Sequence, residues 1–435
     1  MTAMNWRPFG RSVLLLTCLA LVGTAALAVS YTVTVTPDQP ETIYALNQEV
    51  RFTIHVLRDG INLTDGAITY SIDGGLNLPQ TAHTCALMKD PVTVVTAKGE
   101  PGEIRCTVTF SPADANPVSA VSVVGVALDQ MQPTLSEPDD FSKYWKAERA
   151  KLAKLPMTVT RTPVPTVAPD VTCEDVEVTC VPGKPVKGYL AKPKTATKHS
   201  VPAMLFLPYA GVAGANKFLA EKGAQWGALS LSINVFGVQN GQPDAYYTGL
   251  WQGPLAQYFY QGRESRDTFF FHDVYLMVLR SLDFLTDQPE WNGKILAVYG
   301  SSQGGGLAIV AAGLDARVTY FGAAVPAMCD HAGMLAERPI PWPQLIPCGP
   351  DGKPNPEILK TAGYYDPINF ARRCKATALF TVGFLDIASP PTGVYAAYNQ
   401  LKGHKEILNG WLLGHEVATD FDDHFKAMVF PAPAK

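Results

Sequence analysis

The stretch from Lys294 to Ala312 constrains the fold more than any other part of the chain. Lys294 to Gly300 has the apolar run of a buried strand and ends in Gly300-Ser301-Ser302-Gln303-Gly304. Small apolar residues follow at helical spacing from Gly305 to Ala312. A strand, a sharp turn and a helix in that order make a nucleophile elbow. Such a turn holds one serine at the strand tip with its hydroxyl free and the next backbone N–H aimed at a developing oxyanion. Ser302 is therefore the candidate nucleophile, and Gln303 supplies that N–H. Glycine is required two residues before and two after, because a Cβ at either place meets the neighbouring strand or helix. The five-residue pattern is weak by itself in a chain with 36 glycines. Its flanking strand and helix, and the partners downstream, carry the assignment.

A serine hydroxyl attacks only when a neutral imidazole takes its proton, and the imidazole needs an acid to fix its tautomer. In elbow-bearing folds these groups follow in the order serine, acid, histidine. Ala376 to Gly383 reads as a buried strand and is followed by Phe384-Leu385-Asp386; the Ser389-Pro390-Pro391 that comes next is a good helix start, with Ser389 as cap. Asp386 is thus placed at the carboxyl edge of a sheet, where sites collect. The next strand, from His404 to Trp411, leads to Gly414-His415-Glu416, so His415 is the candidate base. Among the 8 histidines, His331 is the main rival, because it too follows a strand, Thr319 to Val325. Asp420, Asp422 and Asp423 compete with Asp386 but read as acids on a terminal helix.

Met1 to Ala28 has the form of an export signal: Arg7 and Arg11 precede an apolar run that closes on Ala26-Leu27-Ala28, and a secreted or periplasmic location is expected. No later run approaches the roughly 20 apolar residues of a bilayer span. In an oxidising compartment the nearest cysteine pairs are Cys85 with Cys106, Cys173 with Cys180 and Cys329 with Cys348, leaving Cys374 unpaired. No cysteine or histidine spacing matches a metal cluster, so neither metal nor cofactor is expected. A net charge of −4 without a basic run speaks against nucleic acid as partner. The length suggests two domains beyond the export segment. Residues 29–130 show short alternating runs broken by Gly, Asp and Pro, the pattern of an all-β, immunoglobulin-like sandwich. Residues 131–435 alternate strand and helix patterns, which makes an α/β, doubly wound, mostly parallel sheet, with Asp129 to Pro138 as the link.

From Pro138 to about His424 the chain resembles the acetyl xylan esterase and cephalosporin C deacetylase family of α/β-hydrolases. The resemblance rests on Asp140-Phe141-Ser142-Lys143-Tyr144-Trp145, Arg280-Ser281-Leu282-Asp283-Phe284-Leu285, Gly300-Ser301-Ser302-Gln303-Gly304-Gly305-Gly306, Asp386 before Pro390-Pro391, and Gly414-His415-Glu416. It implies a serine esterase removing acetyl groups from carbohydrate hydroxyls, with Ser302, Asp386 and His415 as triad and an acetylated oligo- or polysaccharide as substrate. It also implies assembly into a homo-oligomer, and an oxyanion hole formed by the N–H groups of Gln303 and Tyr209. The chain departs from the family at Phe236-Gly237-Val238, where Arg-Gly-Gln is usual, and at Leu207-Pro208, where histidine and glycine are usual. The Pro-rich stretch Met334 to Pro356, with Trp342, is expected to border the sugar site or a subunit contact; Trp251 and Phe259 are further aromatic candidates. The alternatives are a general carboxylesterase or peptidase of the same fold, or a carbohydrate- or surface-binding protein with an inactive hydrolase half. If His415 is the base, ester cleavage is expected to fail below a pH of about 6 to 7, where imidazole protonates. A pH–rate profile that stays flat from about pH 5 to 8 would count against it.

Overall fold

The computed structural model describes residues 29–75 and 81–431; the expected export segment, with Cys18, lies outside the described residues. Among the described residues nine strands form the N-terminal region: β1 (Tyr31–Pro37), β2 (Ile43–Tyr44), β3 (Val50–Arg58), β4 (Ile61–Asn62), β5 (Ala67–Asp73), β6 (Ala82–Ala86), β7 (Val92–Thr96), β8 (Gly102–Phe110) and β9 (Val118–Val126). One sheet joins β1, β4 and β7 to β3, and the other runs β2-β9-β8-β5-β6. The pairs are antiparallel except β2 with β9, where the chain crosses between sheets after β1. This is the strand partition of an immunoglobulin-like sandwich. Alternation builds its core: Val50, Phe52, Ile54 and Val56 of β3 all point inward.

The α/β region carries a 9-stranded sheet in the order β10-β11-β12-β14-β13-β15-β16-β17-β18. Its strands are β10 (Val159–Val164), β11 (Val171–Val181), β12 (Lys184–Pro193), β13 (Val201–Leu207), β14 (Leu229–Asn234), β15 (Trp291–Ser301), β16 (Tyr320–Ala324), β17 (Thr377–Gly383) and β18 (Lys405–Gly410). From β14 to β18 every pair is parallel, whereas β10, β11, β12 and β14 pair antiparallel. The helices are α1 (Phe141–Ala153), α2 (Lys217–Gln225), α3 (Asp244–Gln252), α4 (Phe270–Thr286), α5 (Gln303–Leu314), α6 (Pro356–Tyr365), α7 (Pro367–Ala371), α8 (Pro391–Gln400) and α9 (Phe421–Val429). Among the described residues no helix is long and apolar enough to cross a membrane.

The three antiparallel strands β10 to β12 were not foreseen from the sequence. Their signal is a Pro182-Gly183 turn between two long runs, with Gly183 at φ 75°. The cysteine expectations are also corrected: all seven cysteines of the described residues are unpaired. Cys173 and Cys180 lie on the same strand, β11, seven positions apart, far beyond the reach of a disulfide. Cys85 and Cys106 lie on β6 and β8, which β5 separates. Cys329 is buried while Cys348 is exposed.

The sandwich is docked on the α/β region. In β9, Val124 and Val126 point into the sandwich core, while Val123, just before them, joins the core of the α/β region, as do Leu128 and Met131 beyond the strand. The link is fixed in place: Asn399 Nδ2 donates to the carbonyls of Leu128 and Met131, and the Thr134 N–H and hydroxyl donate to Asp330. Beside this junction Arg105, 2% exposed, donates to Glu103 at 3.0 Å and lies 3.7 Å from Asp73. Burial pushes the Glu103 carboxyl up to about 8 and raises Asp73 as well, outweighing the pull of Arg105. The buried guanidinium still requires one ionised partner, because an unpaired charge there is strongly destabilising; Asp73 lies within reach, and the Gly75 N–H and Arg105 both pull its carboxyl back toward the charged form.

A carboxyl whose folded value exceeds its unfolded value of 4.5 keeps a proton that the unfolded chain releases. Stability from this group is therefore greatest below 4.5 and falls as pH rises toward about 8. Glu103→Gln removes that loss. Its stability relative to the parent protein is expected to grow between about pH 5 and pH 8, read as urea midpoints at both; an equal midpoint difference at the two would refute it.

Candidate active site

Ser302 stands between β15 and α5 at φ 57°, ψ −121°, a backbone conformation that a residue with a Cβ seldom adopts. Its surroundings enforce it. The Ser302 N–H donates to Ala324 O at 2.9 Å, and its carbonyl accepts from the Ala327 and Gly306 N–H groups at 3.0 and 3.1 Å. The glycine requirement has a physical cause at both positions. A Cβ on Gly300 would lie 2.2 Å from the Gly304 carbonyl, and one on Gly304 would lie 2.5 Å from Leu207 O.

The loops after β17 and β18 meet at the same edge. A Cβ on Gly383 would lie 2.1 Å from Gly414 O, and the Leu385 N–H donates to Leu413 O at 2.9 Å. This contact brings Asp386 and His415 together with the elbow. His415 Nδ1 lies 2.7 Å from Asp386 Oδ2, and His415 Nε2 lies 2.8 Å from Ser302 Oγ. The Asp386 side chain is fully buried, and its Oδ1 accepts the N–H groups of Ala388 and Ser389 at 2.8 and 2.9 Å. An ionised carboxylate only accepts, so Nδ1 carries the imidazole proton and Nε2 is left to accept from the serine hydroxyl. Such an arrangement can take the proton from a serine hydroxyl as its oxygen attacks a carbonyl.

Ser389 does not cap the following helix as expected. Its hydroxyl donates to Val325 O at 2.8 Å, its N–H is taken by Asp386, and α8 begins at Pro391 after Pro390. The rival groups are engaged elsewhere. His331 is buried, and burial pushes its imidazole down to about 3, so it stays neutral. The His331 backbone N–H donates to Asp366, whose carboxyl burial pushes up to about 7. Asp422 accepts the Tyr299 hydroxyl at 2.6 Å and pairs with Lys222.

The segment after β13 lies directly on the elbow, since a Cβ on Gly304 would also come within 3.0 Å of Pro208 O. Pro208 has no N–H, so Tyr209 offers the first one beyond the strand. Neither the Tyr209 N–H nor the Gln303 N–H has a protein acceptor among the described residues. The buried Gln303 side chain accepts from the Tyr258 hydroxyl at 2.6 Å, and its Nε2 lies 3.5 Å from Pro208 O. Tyr258 escaped the sequence reading because Tyr258-Phe259-Tyr260 looks like ordinary aromatic core. The Trp342 backbone N–H donates to Ala388 O at 2.7 Å, which ties the Pro-rich stretch to the Asp386 loop, and its ring packs on Phe259 at 5.2 Å. Trp251 packs at 6.3 Å from Tyr258 and is partly exposed.

Residues 123–428 match the family described as acetyl xylan esterase (AXE1). The chain belongs to the acetyl xylan esterase family. The acetyl esterase Axe7A of Xylanibacter ruminicola is 32% identical over 289 residues, which are 66% of this chain and 65% of that protein. The chain thus spans slightly less than two thirds of that relative's length. The acetyl xylan esterase from Paenibacillus sp. R4 superposes with a TM-score of 0.60 at 27% identity, over 69% of this chain and 97% of that one. Acetyl xylan esterase 1 from Thermoanaerobacterium sp. JW/SL YS485 shares the fold, with a TM-score of 0.56 at 23% identity over 70% and 98% of the two chains.

In this acetyl xylan esterase family member, Asp386→Asn places an amide against Nδ1 and favours the wrong imidazole tautomer. The expected result is a fall in kcat of about 10⁴-fold on any ester the protein cleaves, with a melting curve that remains cooperative. A loss below about tenfold would show that Asp386 does not orient the base.

Proposed function

We propose that the protein is a serine esterase that removes acetyl groups from the hydroxyls of acetylated xylan or related oligosaccharides. One observation carries the reading: Ser302, His415 and Asp386 form a continuous hydrogen-bonded relay at three strand ends, in a chain of the acetyl xylan esterase family. The proposed reaction has two halves. The Ser302 oxygen attacks the acetyl carbonyl as His415 Nε2 takes the hydroxyl proton, and the N–H groups of Gln303 and Tyr209 hold the oxyanion. The C–O bond to the sugar breaks, and His415 returns the proton to the leaving oxygen. Water then attacks the acetyl-serine by the same route, which releases acetate and restores the hydroxyl.

An open rim supports a polymeric substrate. The His415 side chain is 34% exposed, and the apolar side chains of Tyr209, Ile387 and Leu412 are exposed on the segments that carry the proposed donor, acid and base. Apolar surface at a wet rim suits the flat C–H faces of sugar rings. The contact of Trp342 with the Asp386 loop favours the sugar-site role for the Pro-rich stretch over a subunit contact. We place the reaction outside the cytoplasm on the strength of the Met1 to Ala28 export pattern.

The deciding experiment compares acetate release from acetylated xylo-oligosaccharides with cleavage of nitrophenyl esters of increasing acyl length, for the parent protein and Ser302→Ala. Acetyl-selective release that disappears in the variant is the expected outcome. Cleavage of long acyl chains or peptides would point to another hydrolase, and no cleavage by folded protein would point to a binding role.

A further inference from the structure

We propose that Tyr258 is a positioning residue of the oxyanion hole: acting through the Gln303 side chain, it fixes the direction of the Tyr209 N–H. The inference rests on the esterase reading above, in which the Tyr209 and Gln303 amides receive the oxyanion.

The argument starts from one peptide unit. Pro208 C=O and Tyr209 N–H belong to the same peptide plane, which is trans, so the two bonds point in opposite directions. Whatever holds the carbonyl therefore aims the N–H. The group facing Pro208 O is Gln303 Nε2 at 3.5 Å, a long contact of the kind that tightens when substrate is bound. Gln303 then contributes twice: its backbone N–H is one donor, and its side chain orients the other.

A glutamine amide does this only if its NH₂ end faces Pro208, because the opposite flip would set two oxygens against each other. Tyr258 decides the flip. Its hydroxyl accepts the Gly211 N–H at 3.4 Å, which leaves its own proton free to donate to Gln303 Oε1 at 2.6 Å. The carbonyl end is thereby committed to Tyr258, and the NH₂ end is turned to Pro208. The phenol is held without freedom: it is fully buried, with ring centroids of Phe236 at 4.9 Å, Phe270 at 5.0 Å and Phe259 at 5.2 Å. Burial raises its pKa above the ordinary phenol value, so it remains a donor at any working pH. Both ends of the segment from Pro208 to Gly211 are thus tied to one hydroxyl, one through Gln303 and one directly.

The chain gives a mechanical reason for this device. Proline at 208 removes one N–H from the segment, and Tyr209 is 66% exposed, so its own side chain has little packing to hold the peptide. The orienting force must come from below, and the Tyr258–Gln303 pair is what lies there.

The test uses Tyr258→Phe, Gln303→Met and the double variant, measured on 4-nitrophenyl acetate. Phenylalanine keeps the ring, and methionine keeps the length of Gln303 and its backbone N–H while removing both side-chain bonds. Removing an oxyanion donor outright costs about 10²- to 10³-fold, so misaiming one is expected to lower kcat by about 10- to 100-fold. KM and the pH–rate profile should stay as in the parent protein, because neither ground-state binding nor the imidazole is touched. The double variant should be no slower than the slower single one, since both substitutions break the same link. Tyr258→Phe within twofold of the parent, or effects that multiply in the double variant, would overturn the proposal. If Tyr258→Phe fails to fold, Gln303→Met alone decides: unchanged kcat overturns it. A parent protein that cleaves no ester would instead remove the esterase reading, and this proposal with it.

Discussion

The conformation of one backbone residue organises the site. Ser302 sits in a strained region of φ/ψ space, and strain of that kind persists only when neighbouring structure over-determines it. Here the restraint comes from the parallel sheet itself. The Ser302 N–H is bonded to Ala324 at the end of β16, and its carbonyl to Ala327 in the loop that follows and to the first turn of α5. Glycines at 304, 305 and 306 let α5 approach so closely that added Cβ atoms would meet the carbonyls of Leu207, Ala324 and Ala327. The elbow is thus clamped from β13 and β16, which pair with β15 on either side. The segment after β13 and the loop after β16 take their positions from the same clamp.

Much of this was legible in the sequence because it is local. The elbow spacing, the continuous apolar strands and the order of Ser302, Asp386 and His415 all follow from short-range chemistry, and the geometry brings those three side chains within hydrogen-bond distance. What escaped the sequence is non-local. Tyr258 meets Gln303 across 45 positions through a hydroxyl that no periodicity distinguishes from neighbouring aromatic core. The expected cysteine pairs do not form because closeness along the chain is not closeness in space: Cys173 and Cys180 lie along one extended strand. Strands β10 to β12 carry acids, lysines and threonines among their apolar residues, so their alternation is weaker than that of the buried parallel strands. Ser389 had the right residue type for a cap, but Val325 O and the Asp386 carboxylate captured its polar groups instead.

The acid loop shows how the site is supported from outside. Asp386 is held by two N–H groups of its own loop, and Ala388 of that loop accepts from Trp342. The chain leading to Trp342 is anchored in turn, because Arg338 donates to Gln132 O and approaches Asp330, which also receives both donors of Thr134. The connection between sandwich and sheet is therefore part of the scaffolding around the acid, and no slack tether.

Strand β9 has a further consequence. Side chains of adjacent residues in a strand point to opposite faces, and in β9 those faces belong to different interiors, Val123 to one and Val124 and Val126 to the other. The strand is a party wall. A slip of one position would exchange the occupants of both rooms at once, so the register is fixed twice over by two independent cores. One residue inserted there would disturb more of the molecule than a long insertion in a surface loop.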